Sequence, residues 1–266
     1  MTIAIAIAVP DGIAMSADSQ TTWNQDITSV KVKNRTELVE LEAPIRQPVG
    51  WSTGARKLFS FEYGSRKGAI LTAGMASIGN RTSRSIFKKF EQECPKSDNC
   101  EEVVEFLVKG IKEEMLKIYQ TDDLSKAPMS TFDFVFISFE NGDITKPFIS
   151  SNLVFSGTLI IDGNPDSSGH FKRWRNMPPN LYGGCWIGET EFIAHIVNHT
   201  NPRLPPISGQ YQLMTLEDAV SYTKFLAEFT CDFQRFAIMV PTCGKPVVSA
   251  ILTPDEFKYV ENEPNY

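Results

Sequence analysis

The chain has 266 residues, 42% hydrophobic and 22% charged, and a formal net charge of −6. A chain of this size buries most of its unfolded surface without disulfide or metal staples. Its acidic balance, with no basic patch or tail, argues against nucleic acid or an anionic membrane as the main partner. No apolar run approaches the roughly eighteen residues that a membrane span needs.

Residues 2–9 are β-branched or small throughout, Pro10-Asp11-Gly12 makes a turn, and Ile13–Ala17 continues as a second strand ending at Asp18. An apolar run that hardly alternates predicts a hairpin buried on both faces. Residues 19–55 are polar, carry Pro44, Pro48 and Gly50, and read as a long irregular insertion. Residues 57–61 and 68–73 form another candidate hairpin around Gly64. Two helices follow. One is expected over 76–92. The other starts at an Asp98…Glu101 capping signal and puts Val104, Leu107, Val108, Ile111, Met115 and Ile118 on one face.

Strands return at 132–139, 146–149 and 154–161, with Asn141-Gly142 as a turn, and 163–180 reads as a loop. A strand at 181–187, a helix at 188–198 and a Pro-rich loop at 201–209 come next. A helix then begins near Thr215 with Asp218 completing its cap, and is expected to end near Thr230. Strands at 235–240 and 247–252 close the pattern, and the last dozen residues read as a tail. No linker splits the chain, so 1–266 is read as one domain. Strands, helices, strands, helices, strands pack most naturally as two sheets between two helix layers.

Five cysteines, odd in number and without CxxC spacing, read as reduced thiols of a cytoplasmic protein. The apolar N-terminus has neither a basic leader nor a following small-residue cleavage site, so it is a poor signal peptide. His195 and His199, four apart on an expected helix, could chelate zinc. No glutamate follows at zinc-protease spacing, so neither metal nor cofactor is expected.

The chemistry-bearing feature is Thr2 directly after the initiator Met1. Removal of Met1 would leave a hydroxyl nucleophile and an α-amine in one residue. That amine has an unperturbed pKa of about 7.7–8.0, suited to general-base work at neutral pH. The stretch Thr2-Ile3-Ala4-Ile5-Ala6…Asp11-Gly12…Ser16-Ala17-Asp18-Ser19 resembles the opening of proteasome β subunits and of the bacterial HslV peptidase. Lys57-Leu58, followed by Ala73-Gly74-Met75-Ala76, is similar to a second segment of that family, and Met214–Ala219 resembles its closing helix.

The resemblance covers most of the chain and is firm over 2–18 and 57–76. It implies an α+β, four-layer αββα sandwich of the N-terminal-nucleophile (Ntn) hydrolase, proteasome-like type. It also implies roles. Thr2 would be the nucleophile, Lys57 the neighbouring positive charge, Asp18 the group orienting that lysine, and Gly74 N–H an oxyanion donor. Asp232 matches the family's Asp-x-x-Ser, with Arg235 in place of the serine.

Lys31 and Lys33 lie closer to the usual spacing from Thr2 than Lys57 does, but the Ala-Gly motif that follows favours Lys57. Gly188-Glu189 stands where the family has Gly-Ser and resembles Anbu, a divergent bacterial proteasome homologue. Glu189 and Arg235 would either pair or be surface residues. The expectation is a threonine-type amidohydrolase of the peptidase kind, acting on peptide or protein substrate. It would assemble as a homo-oligomer of at least six subunits, with an ATP-dependent unfoldase as a possible partner. A non-catalytic proteasome-like subunit and an Ntn acylase on small amides are the alternatives.

Overall fold

The computed structural model describes residues 2–31, 38–161, 164–166, 170–176, 181–197, 210–236 and 241–261, with residues 23–31, 38–49, 51, 160–161, 164–166 and 174–176 described by backbone alone. β1 (Ile3–Val9) and β2 (Gly12–Asp18) form the expected hairpin, in register Ala4 to Ala17. Every residue of both strands is buried. In β1 the alternation is one of size. Ala4, Ala6 and Ala8 face one apolar cluster, while Ile3, Ile5, Ile7 and Val9 face another. A strand with two covered faces needs no polar residue, which is why its sequence reads as a continuous apolar run.

β3 (Gln20–Lys31) and β4 (Leu38–Thr53) pair with each other as a long two-stranded ribbon. The segment expected to be irregular is therefore largely extended. Its proline at position 48 faces a register shift, where a missing N–H costs the ladder least. β5 (Leu58–Tyr63) and β6 (Arg66–Gly74) follow, joined by the turn at Gly64. The short strands β7 (Ser77–Ile78) and β8 (Arg81–Thr82) occupy the stretch expected to open the first helix. α1 therefore begins later and runs Ser83–Glu93, capped by the Thr82 hydroxyl.

α2 (Cys100–Tyr119) is capped by Asn99 rather than Asp98, whose carboxylate instead accepts from Ser65 N. Its expected stripe from Val104 to Met115 is buried. β9 (Ser130–Phe139) and the single strand β10 (Pro147–Ser156) replace the three strands expected there. β11 (Leu159–Ile161) and β12 (Asn164–Asp166) make a small ribbon, and β13 (Phe171–Asn176) pairs with β10, so the expected 163–180 loop contributes a sheet-edge strand. β14 (Gly183–Gly188) and the short α3 (Glu191–Val197) come next.

α4 (Leu216–Phe236) opens with the Thr215–Asp218 reciprocal cap. It runs six residues beyond the expected stop, so Arg235 lies in a helix and not a strand. Residues 201–209 and 237–240 lie outside the described residues. β15 (Val247–Leu252) pairs with β2, and β16 (Phe257–Glu261) pairs with β15 where a tail was expected.

The two main sheets are antiparallel, ordered β14-β1-β2-β15-β16 and β13-β10-β9-β6-β5. One apolar cluster joins their facing sides, with Ala4, Ala6 and Met15 against Leu71, Val135 and Ile137. A second packs α1 and α2 on the outer side of the β5–β6–β9–β10 sheet, rich in Phe87, Phe90, Phe132, Phe134 and Phe136. A third packs α3 and α4 on the outer side of the sheet that holds β1. The described residues thus form a mixed α/β chain of antiparallel sheets and four α-helices. Among them, no helix is long and apolar enough to cross a membrane.

Candidate functional site

Thr2 sits just before β1, only 3% exposed. Its carbonyl accepts a 2.7 Å hydrogen bond from Glu189 N, at the turn leaving β14. That turn passes so close that a Cβ on Gly188 would stand 1.7 Å from Thr2 O, and Gly188 has φ +92°. Only glycine fits both demands. One residue on, Ile3 N donates to Asp18 Oδ1 at 3.0 Å. The start of the chain is therefore clamped between the end of β14 and the end of β2.

Asp18 is buried, and four donors converge on it. Oδ1 accepts from Ile3 N and from Lys57 Nζ, the latter at 2.9 Å. Oδ2 accepts from Gln20 N at 3.1 Å and Gly244 N at 3.0 Å. This set fills the acceptor sites of an ionised carboxylate. Lys57 immediately precedes β5 and is 6% exposed. It donates also to Gln20 O, and its own carbonyl accepts from Thr72 N, which ties it to β6. A buried ion pair recovers its desolvation cost only when such additional hydrogen bonds surround it.

At the end of β6 the chain turns at Gly74, with φ +77°, and a Cβ there would lie 2.6 Å from Thr131 O. Thr2, Lys57 and Gly74 line one cavity of about 920 Å³. Its other walls come from Thr21 and Thr22, from residues 52–56, from the start of α1 and from residues 128–131. A hydroxyl, an ammonium group and a backbone turn thus share one cavity, with Asp18 behind the ammonium.

Asp232 does not join them. It lies on α4 and pairs with Lys245 at 2.9 Å, both side chains 47% exposed. Glu189 neither pairs with Arg235 nor stands idle at the surface. Its Oε1 accepts from Thr242 Oγ1 at 2.8 Å, while Arg235 lies over the Phe236 ring. The α4 residue that turns inward is the fully buried Gln234. Its Oε1 accepts from Thr242 N at 2.9 Å and Cys243 N at 3.1 Å. Gln234 therefore holds the loop whose next residue, Gly244, donates to Asp18. The sequence carries a signal for it, because Ala227, Thr230, Cys231 and Gln234 continue one buried face at helical spacing. The expected stop at Thr230 hid that continuation.

Cys243 is buried beside Cys231. The hydrogen bond with that thiol, then burial, holds its own thiol protonated well above the usual range. None of the five cysteines, all of them described, is joined in a disulfide. Asp133 of β9 is a half-buried carboxyl, and the loss of water around it pushes it up to about 6. The Lys31 side chain, Lys33 and His199 lie outside the described residues. Among the described residues no cluster of His, Cys, Asp and Glu could hold a metal.

Comparison with known proteins gives a structural likeness only. Anbu (ancestral beta-subunit) from Yersinia bercovieri aligns with a TM-score of 0.51 at 14% identity, over 98% of this chain and 88% of that one. An Anbu Gly-1 mutant from Hyphomicrobium sp. strain MC1 aligns with a TM-score of 0.53 at 16% identity, over 98% and 86%. No protein-family model and no curated protein matches the chain. At this identity the likeness speaks to the fold alone, which is similar to that of the two Anbu structures.

Proposed function

We propose that the chain is a threonine-type N-terminal-nucleophile amidohydrolase, acting on peptide or protein amides after Met1 is removed. The observation that carries this reading is the shared cavity. Thr2 and Lys57 line it together, and the lysine's charge is held by a buried aspartate at 2.9 Å. A threonine hydroxyl is a poor nucleophile without an adjacent base. At position 2 the base fixed by covalent geometry is the residue's own amine, and while Met1 remains that nitrogen is an amide.

In the proposed reaction the Thr2 hydroxyl attacks the carbonyl carbon and its proton passes to the amine. The developing oxyanion is met by the Gly74 N–H. The amine then gives the proton to the leaving nitrogen, the C–N bond breaks, and an ester to Thr2 remains. Water, deprotonated by the same amine, cleaves that ester and restores the threonine. Lys57 favours this sequence by placing positive charge beside the nucleophile, and Asp18 positions Lys57. The same reading takes 1–266 as one four-layer αββα domain working in the cytoplasm as a homo-oligomer, fed by an ATP-dependent unfoldase where the substrate is a folded protein.

One observation favours a second reading, a structural subunit without activity. Asp232, which the family resemblance brings to the site, lies in an exposed ion pair outside the cavity. Exposing the N-terminus decides between the two. A form carrying an uncleavable N-terminal tag is expected to fold and assemble but to be inert. Tag removal at Thr2 is expected to restore peptide hydrolysis, and Thr2→Ala to abolish it. An epoxyketone, which reacts with a hydroxyl and a free amine together, should label only the trimmed chain. Intact Met1 on protein taken from its native host would leave the structural reading standing.

A further inference from the structure

We infer that the cavity beside Thr2 selects acyl groups that present a carboxylate, with Arg84 as the residue that reads it; this rests on the amidohydrolase reading above. The whole chain is acidic, with 32 Asp and Glu against 26 Lys and Arg. The cavity has the opposite balance. Its charged lining residues are Arg56, Lys57 and Arg84, and neither aspartate nor glutamate is among the residues described there. Lys57 is already matched by Asp18, so the charge considered for a ligand is that of Arg84.

Arg84 is half-buried in the first turn of α1, and that turn holds no acidic residue. Among the described residues no carboxylate pairs with it. The acid facing it across a smaller neighbouring cavity is Glu91, which is engaged by Lys88 Nζ and by Glu62 N. Arg84 thus lines both cavities, and among the described residues its charge is matched by no carboxylate. The positive end of the α1 dipole lies at the same wall and has the same sign.

The remaining lining is mixed. Hydroxyls of Thr21, Thr53 and Ser77 stand beside Ala55, Met75 and Met129, so the wall offers a ligand both polar and apolar contact. A planar guanidinium offers two parallel donors, the geometry a carboxylate accepts. A substrate residue with an aspartate or glutamate side chain next to the scissile amide would place that carboxylate in the cavity while its carbonyl meets Thr2.

The test separates binding from chemistry by using the Thr2→Ala protein. Three fluorescein-labelled peptides, alike except for Glu, Gln or Lys at the residue before the amide, are titrated and followed by anisotropy. The Glu peptide is expected to bind about tenfold more tightly than the Gln peptide, the size of one charge-assisted bidentate contact. That preference should shrink as salt is raised and vanish in Thr2→Ala combined with Arg84→Gln. Thermal melting of the double variant should match that of the single one, since Arg84 makes no buried pair. Equal binding of Glu and Gln, tighter binding of Lys, or a preference that survives Arg84→Gln would overturn the inference. If the Glu peptide binds as expected but trimmed chain with Thr2 exposed does not hydrolyse it, the chemistry fails and the recognition stands.

Discussion

Two lysine–aspartate pairs in this chain have the same length and opposite surroundings. Lys57–Asp18 and Lys245–Asp232 are both 2.9 Å, yet the first pair is 6% and 0% exposed and the second 47% and 47%. The first is enclosed by backbone donors from three separate segments, and the second lies at the surface between α4 and the loop before β15. Distance therefore says little about what an ion pair contributes. Burial, and the donors that burial recruits, decide it. Resemblance pointed to Asp18 and Asp232 alike, and the geometry separates them.

The largest effect should come from breaking the enclosed pair. Lys57→Ala leaves Asp18 buried with its cation gone, and is expected to cost about 3–5 kcal/mol in urea unfolding, besides several orders of magnitude in turnover of the trimmed enzyme. An unaltered midpoint would show that the pair is not sealed from water.

A third carboxyl sharpens the contrast. Asp133, on β9 between Ala73 and Leu153, has no hydrogen-bond donor among the described residues, and burial pushes it up to about 6. Its folded value lies above its unfolded one, so the folded chain holds the extra proton between about pH 4 and pH 6. Stability should fall as pH rises through that window and stay lowered above it. Asp133→Asn should flatten the slope and add up to about 3 kcal/mol at pH 7, readable from melts across pH 4 to 8. A slope unchanged in the variant would mean that water reaches the carboxyl.

Gln234→Ala should cost about 1–3 kcal/mol, because buried N–H groups of Thr242 and Cys243 lose their acceptor. It should also lower turnover by loosening Gly244 against Asp18. Replacing Gln234 by Glu, which keeps the acceptor, should recover much of the turnover. The smallest effect belongs to the exposed pair, where Asp232→Ala should change stability by less than about 1 kcal/mol and leave hydrolysis intact. A large loss of hydrolysis in that variant would return Asp232 to the reaction.

The parts of this molecule legible in sequence are those where local pattern and global packing agree. Ala and Ile alternate in β1 because both its faces are covered, and Asp18 and Lys57 flank apolar strands that anchor them. The β3–β4 ribbon was not legible, because polar strands that pair with each other show no core-facing period. β13, with the sequence FKRWRN, is an edge strand and carries the charges that edges favour. Gln234 was missed for a different reason: a polar residue on a buried helical face looks like the end of the stripe unless its partner, a loop eight residues on, is known.

Asp18 has a consequence for how the chain comes into being. Its four donors belong to Ile3, Gln20, Lys57 and Gly244, the last 226 residues away in sequence. β1 meanwhile is completed on its outer side by β14. Contacts of such separation close late in folding, after the local hairpins and helices have formed. During synthesis Oδ2 of the carboxylate lacks one of its two donors until Gly244 has emerged. A partly made chain with its N-terminus already trimmed would then carry Thr2 and Lys57 without the arrangement that joins them. If Thr2 is the proposed nucleophile, the order of translation itself would act as a timer, withholding it from neighbouring nascent proteins until the last sheet has closed.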